Sequence, residues 1–125
     1  MKKIILCDAG NITETSRLSI KYNLGVNIDQ FSIPDFLEQN PNSINETLDG
    51  YQNIQIYSIH GPFMDLNFGT QDKLIKDATE KRFEAAYEIS HKLKIKNIVL
   101  HNGYVPGTSY PENWVKRSKY FGIIF

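Results

Sequence analysis

The chain has 125 residues, 41% of them hydrophobic and 12% aromatic, enough apolar material for one compact domain and unlike the composition of a disordered segment. Fourteen basic residues balance fourteen acidic ones, so no global field draws in a polyanion, and nucleic-acid affinity would need a local basic patch. The single cysteine excludes an internal disulfide framework and suits a reducing cytoplasm.

The opening MKKIILCDAGN carries an apolar run of about four residues that meets Asp8 at once, too short for a signal peptide or a membrane span. A soluble, cytoplasmic protein with no membrane partner is therefore expected. Ile4 to Cys7 reads as a first strand, with Cys7 as a small core residue rather than a nucleophile. TETSRLSIKYNLG supplies a helix, and Val26 to Ile33 a second strand. PNSINETLDGYQ supplies a shorter helix, capped by Ser43 or Asn42, with Glu46 three residues after Ser43 in a capping-box arrangement and Gly50 as the stop. Ile54 to Ile59 is a third strand.

The clearest helix covers about residues 71 to 94, where Leu74, Ala78, Phe83, Ala86, Tyr87, Ile89 and Leu93 recur at helical spacing. Thr70 is placed to cap it, lysines near its end oppose the negative end of the dipole, and His91 belongs to its surface. Ile98 to Leu100 is a fourth strand, and a last helix begins near Pro111 and carries Trp114, Val115 and Tyr120. Strands alternating with helices predict an α/β fold with a parallel sheet and right-handed crossovers, either open or part of a closed barrel. A single domain over residues 1–125 is expected.

In parallel sheets, ligands meet the chain at the carboxyl ends of the strands. Segments three and four end IYSIHGPF and NIVLHNGYVPG, each with a histidine as the strand finishes and a glycine one or two residues on. Neighbouring parallel strands would hold His60 and His101 side by side, within reach of one divalent metal. Asp65 and Asn67 in FMDLNFG, Asn102 and Tyr104 directly after His101, Asp29 and Gln30 in GVNIDQF, and Asp8 at the first strand end are candidates for contact with substrate. Aspartate and asparagine at turns also serve the backbone. The chain contains no G-x-S-x-G elbow, phosphate-binding glycine loop, C-x-x-C or H-E-x-x-H pattern. No side chain is singled out as catalytic.

SIHGPFMDLN, the long helix with Arg82, and IKNIVLHNGYVPG together resemble the xylose isomerase-like TIM-barrel superfamily, which includes endonuclease IV-type enzymes and sugar isomerases and epimerases. The likeness is strongest over residues 54–107, and LGVNIDQFSIPDF is similar to the family's second strand region. It implies parallel (β/α) units, about the first four of a TIM barrel. By likeness to the metal-dependent nucleases of the family, His60 and His101 would be ligands of zinc, manganese or magnesium, in a ligand set left incomplete by this chain. In many of the isomerases and epimerases, the metal ligands and acid/base carboxylates come from later strands, and the early histidines contact substrate.

A complete barrel of this kind has eight units and roughly 250 residues. The chain is therefore expected to be the amino-terminal half of a metal-dependent sugar or sugar-phosphate isomerase or epimerase, inactive alone, from a truncated or frame-shifted coding region. An endonuclease IV-like phosphodiesterase acting on abasic DNA is the alternative, disfavoured by the balanced charge. A non-catalytic half-barrel is a third. An open four-stranded sheet is expected to leave an apolar inner face and two unpaired edges, and so to self-associate.

Overall fold

The computed structural model describes residues 4–104 and 110–121. The Val105–Gly107 part of the family motif, the Ile123–Phe125 ending and the side chain of Tyr120 lie outside the described residues.

Four parallel strands pair in chain order: β1 (Ile5–Asp8), β2 (Gly25–Ile28), β3 (Ile56–His60) and β4 (Asn97–Val99). The connections hold α1 (Ile12–Tyr22), a 3-10 turn at Gln30–Ser32, α2 (Phe36–Gln39), α3 (Ser43–Gly50) and α4 (Lys73–Lys92), and α5 (Pro111–Phe121) follows β4. The expected α/β fold of parallel units is thus present, and every strand places its carboxyl end on one rim of the sheet.

Register sorts the strand residues onto two faces. Val26, Ile28 and Ile59 point to the helices and, with Phe31, Tyr51, Ile89, Leu93 and Ile95, form the buried core. The opposite face carries Cys7, Asn27, Ser58 and Asn97 in one row, brought level by the pairs Cys7–Asn27, Asn27–Ser58 and Ser58–Asn97. No helix covers this row among the described residues, and Cys7 is exposed on it rather than packed in the core as its apolar neighbours suggested. This row is polar, while Ile5 and Val99 on the same face are apolar and exposed. Ser58 Oγ donates to Asn27 Oδ1 at 2.7 Å, and Asn27 Nδ2 reaches Cys7 Sγ at 3.7 Å.

The helix boundaries show which local signals prevailed. Asp72, not Thr70, caps α4, its Oδ1 accepting from the backbone N–H of Leu74 at 2.8 Å and of Ile75 at 3.2 Å. A carboxylate there also opposes the positive end of the helix dipole. The capping box on α3 does not form, because Ser43 lies inside the first turn, where its buried Oγ has no partner among the described residues. On α4, Leu74 and Tyr87 are exposed, and the face that packs is Thr79, Phe83, Ala86, Ile89 and Ser90. Thr79 succeeds there by bonding, since Oγ1 donates to the Ile75 carbonyl at 2.8 Å and accepts from Asn67 N–H at 3.2 Å. The second strand stops at Ile28, and the remainder of its apolar segment turns into the 3-10 turn that buries Phe31.

Candidate functional site at the strand ends

His60 is the last residue of β3, and His101 lies two residues beyond β4. Both occupy the rim at the carboxyl ends, on adjacent strands paired through His60 and Val99. The two Nε2 atoms are 2.9 Å apart. His60 Nδ1 is 2.9 Å from the Gly61 carbonyl oxygen. A carbonyl only accepts, so the proton sits on Nδ1, and in the neutral ring the Nε2 lone pair is directed at His101. Orientation of a ring through its second nitrogen is the arrangement used by metal-ligating histidines.

Aromatic packing holds the pair. The Phe63 ring stacks on His101 at 4.5 Å between centroids with a 22° interplanar angle, and meets His60 edge-on at 5.1 Å. Gly103, at φ 67°, lets the segment after His101 lie directly on the backbone of Leu66 and Asn67, where a Cβ would collide. This close approach locks the loop after β4 to the loop after β3.

Zinc bound by two imidazoles at about 2.0–2.1 Å in tetrahedral geometry separates the nitrogens by about 3.3 Å. The observed 2.9 Å is a few tenths short of that separation, so a small rotation of either ring admits the ion. The pair fits as part of a ligand set. Among the described residues, no cluster of three or more His, Cys, Asp or Glu completes it.

The remaining sequence candidates are distributed along the same rim, with different bonding. Asn67 Oδ1 accepts from Gly69 N–H at 2.8 Å and from Trp114 Nε1 at 3.1 Å, fastening α5 to the β3–α4 loop. Asn102 Oδ1 accepts from Tyr104 N–H at 3.0 Å, and the Tyr104 ring meets Trp114 edge-on at 5.3 Å. Asp65 is exposed at φ 60°, a left-handed turn conformation that aspartate tolerates. Gln30 Nε2 donates to Thr47 Oγ1 at 2.5 Å, and Asp29 precedes the 3-10 turn without a side-chain cap bond. Of these candidates, His60 and His101 are the pair brought into direct side-chain contact among the described residues.

Sequence reasoning missed Phe63 as the platform for both imidazoles, although its place three residues after His60 was the available signal. It also left Asp8 without a partner. That carboxylate is fully buried, accepts from Gly10 N–H at 2.8 Å and takes a short hydrogen bond from the Tyr51 hydroxyl. Burial, and then the adjacent Asp8 carboxylate, push the Tyr51 phenol well above its ordinary value.

No protein-family model matches the sequence, and no curated protein does. Among solved structures, the chain is similar to the TTHB071 protein from Thermus thermophilus, from a crystal soaked with ZnCl2, with 18% identity and a TM-score of 0.64 over 96% of this chain and 52% of that one. It is also similar to the apo form of 3-keto-D-glucoside 4-epimerase, YcjR, from E. coli, with 18% identity and a TM-score of 0.63 over 98% of this chain and 50% of that one. The fold is half of a TIM barrel. The chain spans about half the length of the solved structures it matches, and its four parallel units correspond to the α/β half-barrel anticipated from the sequence. Its histidine pair thus stands at the carboxyl-terminal rim of a (β/α) half-barrel, the end where TIM-barrel enzymes build their sites.

Proposed function

We propose that the chain is a partial (β/α) barrel domain forming the amino-terminal half of a metal-dependent sugar or sugar-phosphate isomerase or epimerase of the xylose isomerase-like superfamily. The observation that carries this reading is the His60–His101 pair, with facing Nε2 atoms at 2.9 Å at the carboxyl-terminal rim of the half-barrel. One structural neighbour is a sugar epimerase and the crystal of another was soaked with ZnCl2, which supports the substrate class and the metal.

In this function, His60 and His101 hold zinc, manganese or magnesium through Nε2. A cation held there would supply Lewis-acid polarisation of a carbonyl or hydroxyl of the sugar. Gly61 fixes the His60 tautomer through its carbonyl, and Phe63 holds the plane of His101. Asp65, Asn67, Asn102, Tyr104, Asp29 and Gln30 line the rim as substrate contacts, with Asn67, Asn102 and Gln30 acting from side chains already oriented by the bonds described above. The proton-moving carboxylates and remaining ligands are contributed by another (β/α) unit, so the chain alone binds without turning over, in the cytoplasm and as a self-associated species.

Zinc and manganese titration by calorimetry, repeated on His60→Ala/His101→Ala, tests the metal site. Histidine-ring NMR during addition of a ketose, an aldose and their phosphates tests the ligand class. Metal binding lost in the double variant, with sugar-induced shifts at the two rings and no turnover, is expected. Isomerisation that survives the double variant refutes the reading. Chelator-sensitive cleavage of an abasic-site oligonucleotide would replace it with the phosphodiesterase.

A further inference from the structure

We propose that two copies of this chain close into one barrel through β4 of each and β1 of the other, and that Cys7 of the second copy completes the metal site begun by His60 and His101. The inference rests on the metal reading given above and adds a ligand and a partner to it.

The two edges of the sheet are complementary. β1 and β4 are its outer strands, and all four run parallel. Two sheets of this kind, related by a two-fold axis along the barrel, pair β4 with β1 twice and leave no edge. The chain's formal net charge is +0, so the copies approach without net repulsion.

Closure also fixes the register. An eight-stranded TIM barrel has a shear of about 8 residues, so a two-fold barrel takes up about 4 at each new seam. Right-handed crossovers and right-handed winding make a row followed from β1 to β4 descend toward the strand starts. The row through Cys7, Asn27, Ser58 and Asn97 therefore meets the next copy about 4 residues before its Cys7.

Two residues further along, Val99 faces Ile5 of the second copy. These are apolar side chains of the uncovered face, 46% and 43% exposed at opposite edges of the sheet, and closure buries them on each other. Two residues further again, position 101 faces Cys7 of the second copy. Positions 97 and 99 share one side of β4, His101 two residues on meets His60 of that side, and Cys7 is exposed on the same uncovered face.

Adjacent strands lie about 4.8 Å apart, which brings the thiol alongside the His101 imidazole and its partner His60. Loss of the thiol proton to solvent gives a thiolate, and one thiolate with two imidazoles is a ligand set that favours zinc over magnesium. Each dimer then holds two such sites, every one built from the histidines of one copy and the cysteine of the other.

The test uses the full 125-residue chain, sedimentation velocity, and titration with cobalt(II), which reports thiolate ligation by a near-ultraviolet charge-transfer band. A dimer that binds one cobalt per chain and shows the band is expected. Cys7→Ser, a substitution at an exposed position, should leave the circular dichroism unchanged and abolish the band. His60→Ala/His101→Ala should abolish it too. Mixing the two variants should restore about a quarter of the wild-type intensity, because random pairing makes half the dimers mixed and gives each mixed dimer one intact site.

A monomer at all concentrations, cobalt bound without the band, or no recovery on mixing overturns the proposal. Cobalt bound through the histidines in a monomer would still support the metal reading. Failure to bind cobalt at all would remove both.

Discussion

Tyr51→Phe removes one hydroxyl from the core and leaves Asp8, which is 0% exposed, with the Gly10 N–H as its remaining donor among the described residues. A hydrogen bond to a charged group contributes about 1.5–3 kcal/mol, and a buried charge stripped of a partner costs more than a neutral group in the same position. Since the ring remains and no cavity forms, we expect a loss of about 2–3 kcal/mol at neutral pH, a large part of the roughly 5–15 kcal/mol typical of a small domain. Urea denaturation monitored by circular dichroism measures it.

The same hydroxyl makes a second contribution that depends on pH. Its folded pKa is raised, by burial first and Asp8 next, so its contribution is complete below the ordinary phenol value of about 10 and is lost as pH rises above that value, where the unfolded chain ionises first. The slope is about 1.4 kcal/mol per pH unit. Repeating the urea curves between about pH 9 and 11 should show wild type losing stability faster than Tyr51→Phe, so that the gap between them narrows. A destabilisation below about 0.5 kcal/mol at neutral pH, or parallel alkaline losses in the two proteins, would refute the assignment of a buried, hydrogen-bonded phenol.

Ser43→Ala should raise stability by about 0.5–1 kcal/mol, since it removes a buried hydroxyl with no partner among the described residues and adds a better helix former; thermal melts decide the sign. Gly103→Ala should cost about 1–3 kcal/mol, through both its positive φ and the collision of a Cβ with the Leu66–Asn67 backbone, and should broaden the His101 ring resonances. Phe63→Ala should weaken zinc binding at least several-fold in calorimetry while leaving one metal per site, because it removes the ring stacked on His101 without touching a ligand atom. Asn67→Ala should cost about 1–2 kcal/mol through loss of the acceptor for Gly69 N–H and Trp114 Nε1, read as a lower urea midpoint and red-shifted tryptophan emission.

The sequence by itself determined the alternation of strands and helices, because apolar segments ending in polar turns and one long amphipathic run are local patterns whose periods follow from backbone geometry. It also placed His60 and His101 at the ends of neighbouring apolar segments, each with a glycine one or two residues on. Only the tertiary structure decided which of several polar groups a helix start would use. Asp72 displaced Thr70 as the cap of α4, and Ser43 was left inside α3, because capping depends on the angle at which the chain enters the helix. Cys7 could not be assigned a face from IILC alone; register against Asn27 put it on the uncovered side. The bond between Asp8 and Tyr51 joins residues 43 positions apart, and the contact of His60 with His101 joins residues 41 apart. Both distances depend on how the sheet and its helices pack, information that no local window of the sequence contains.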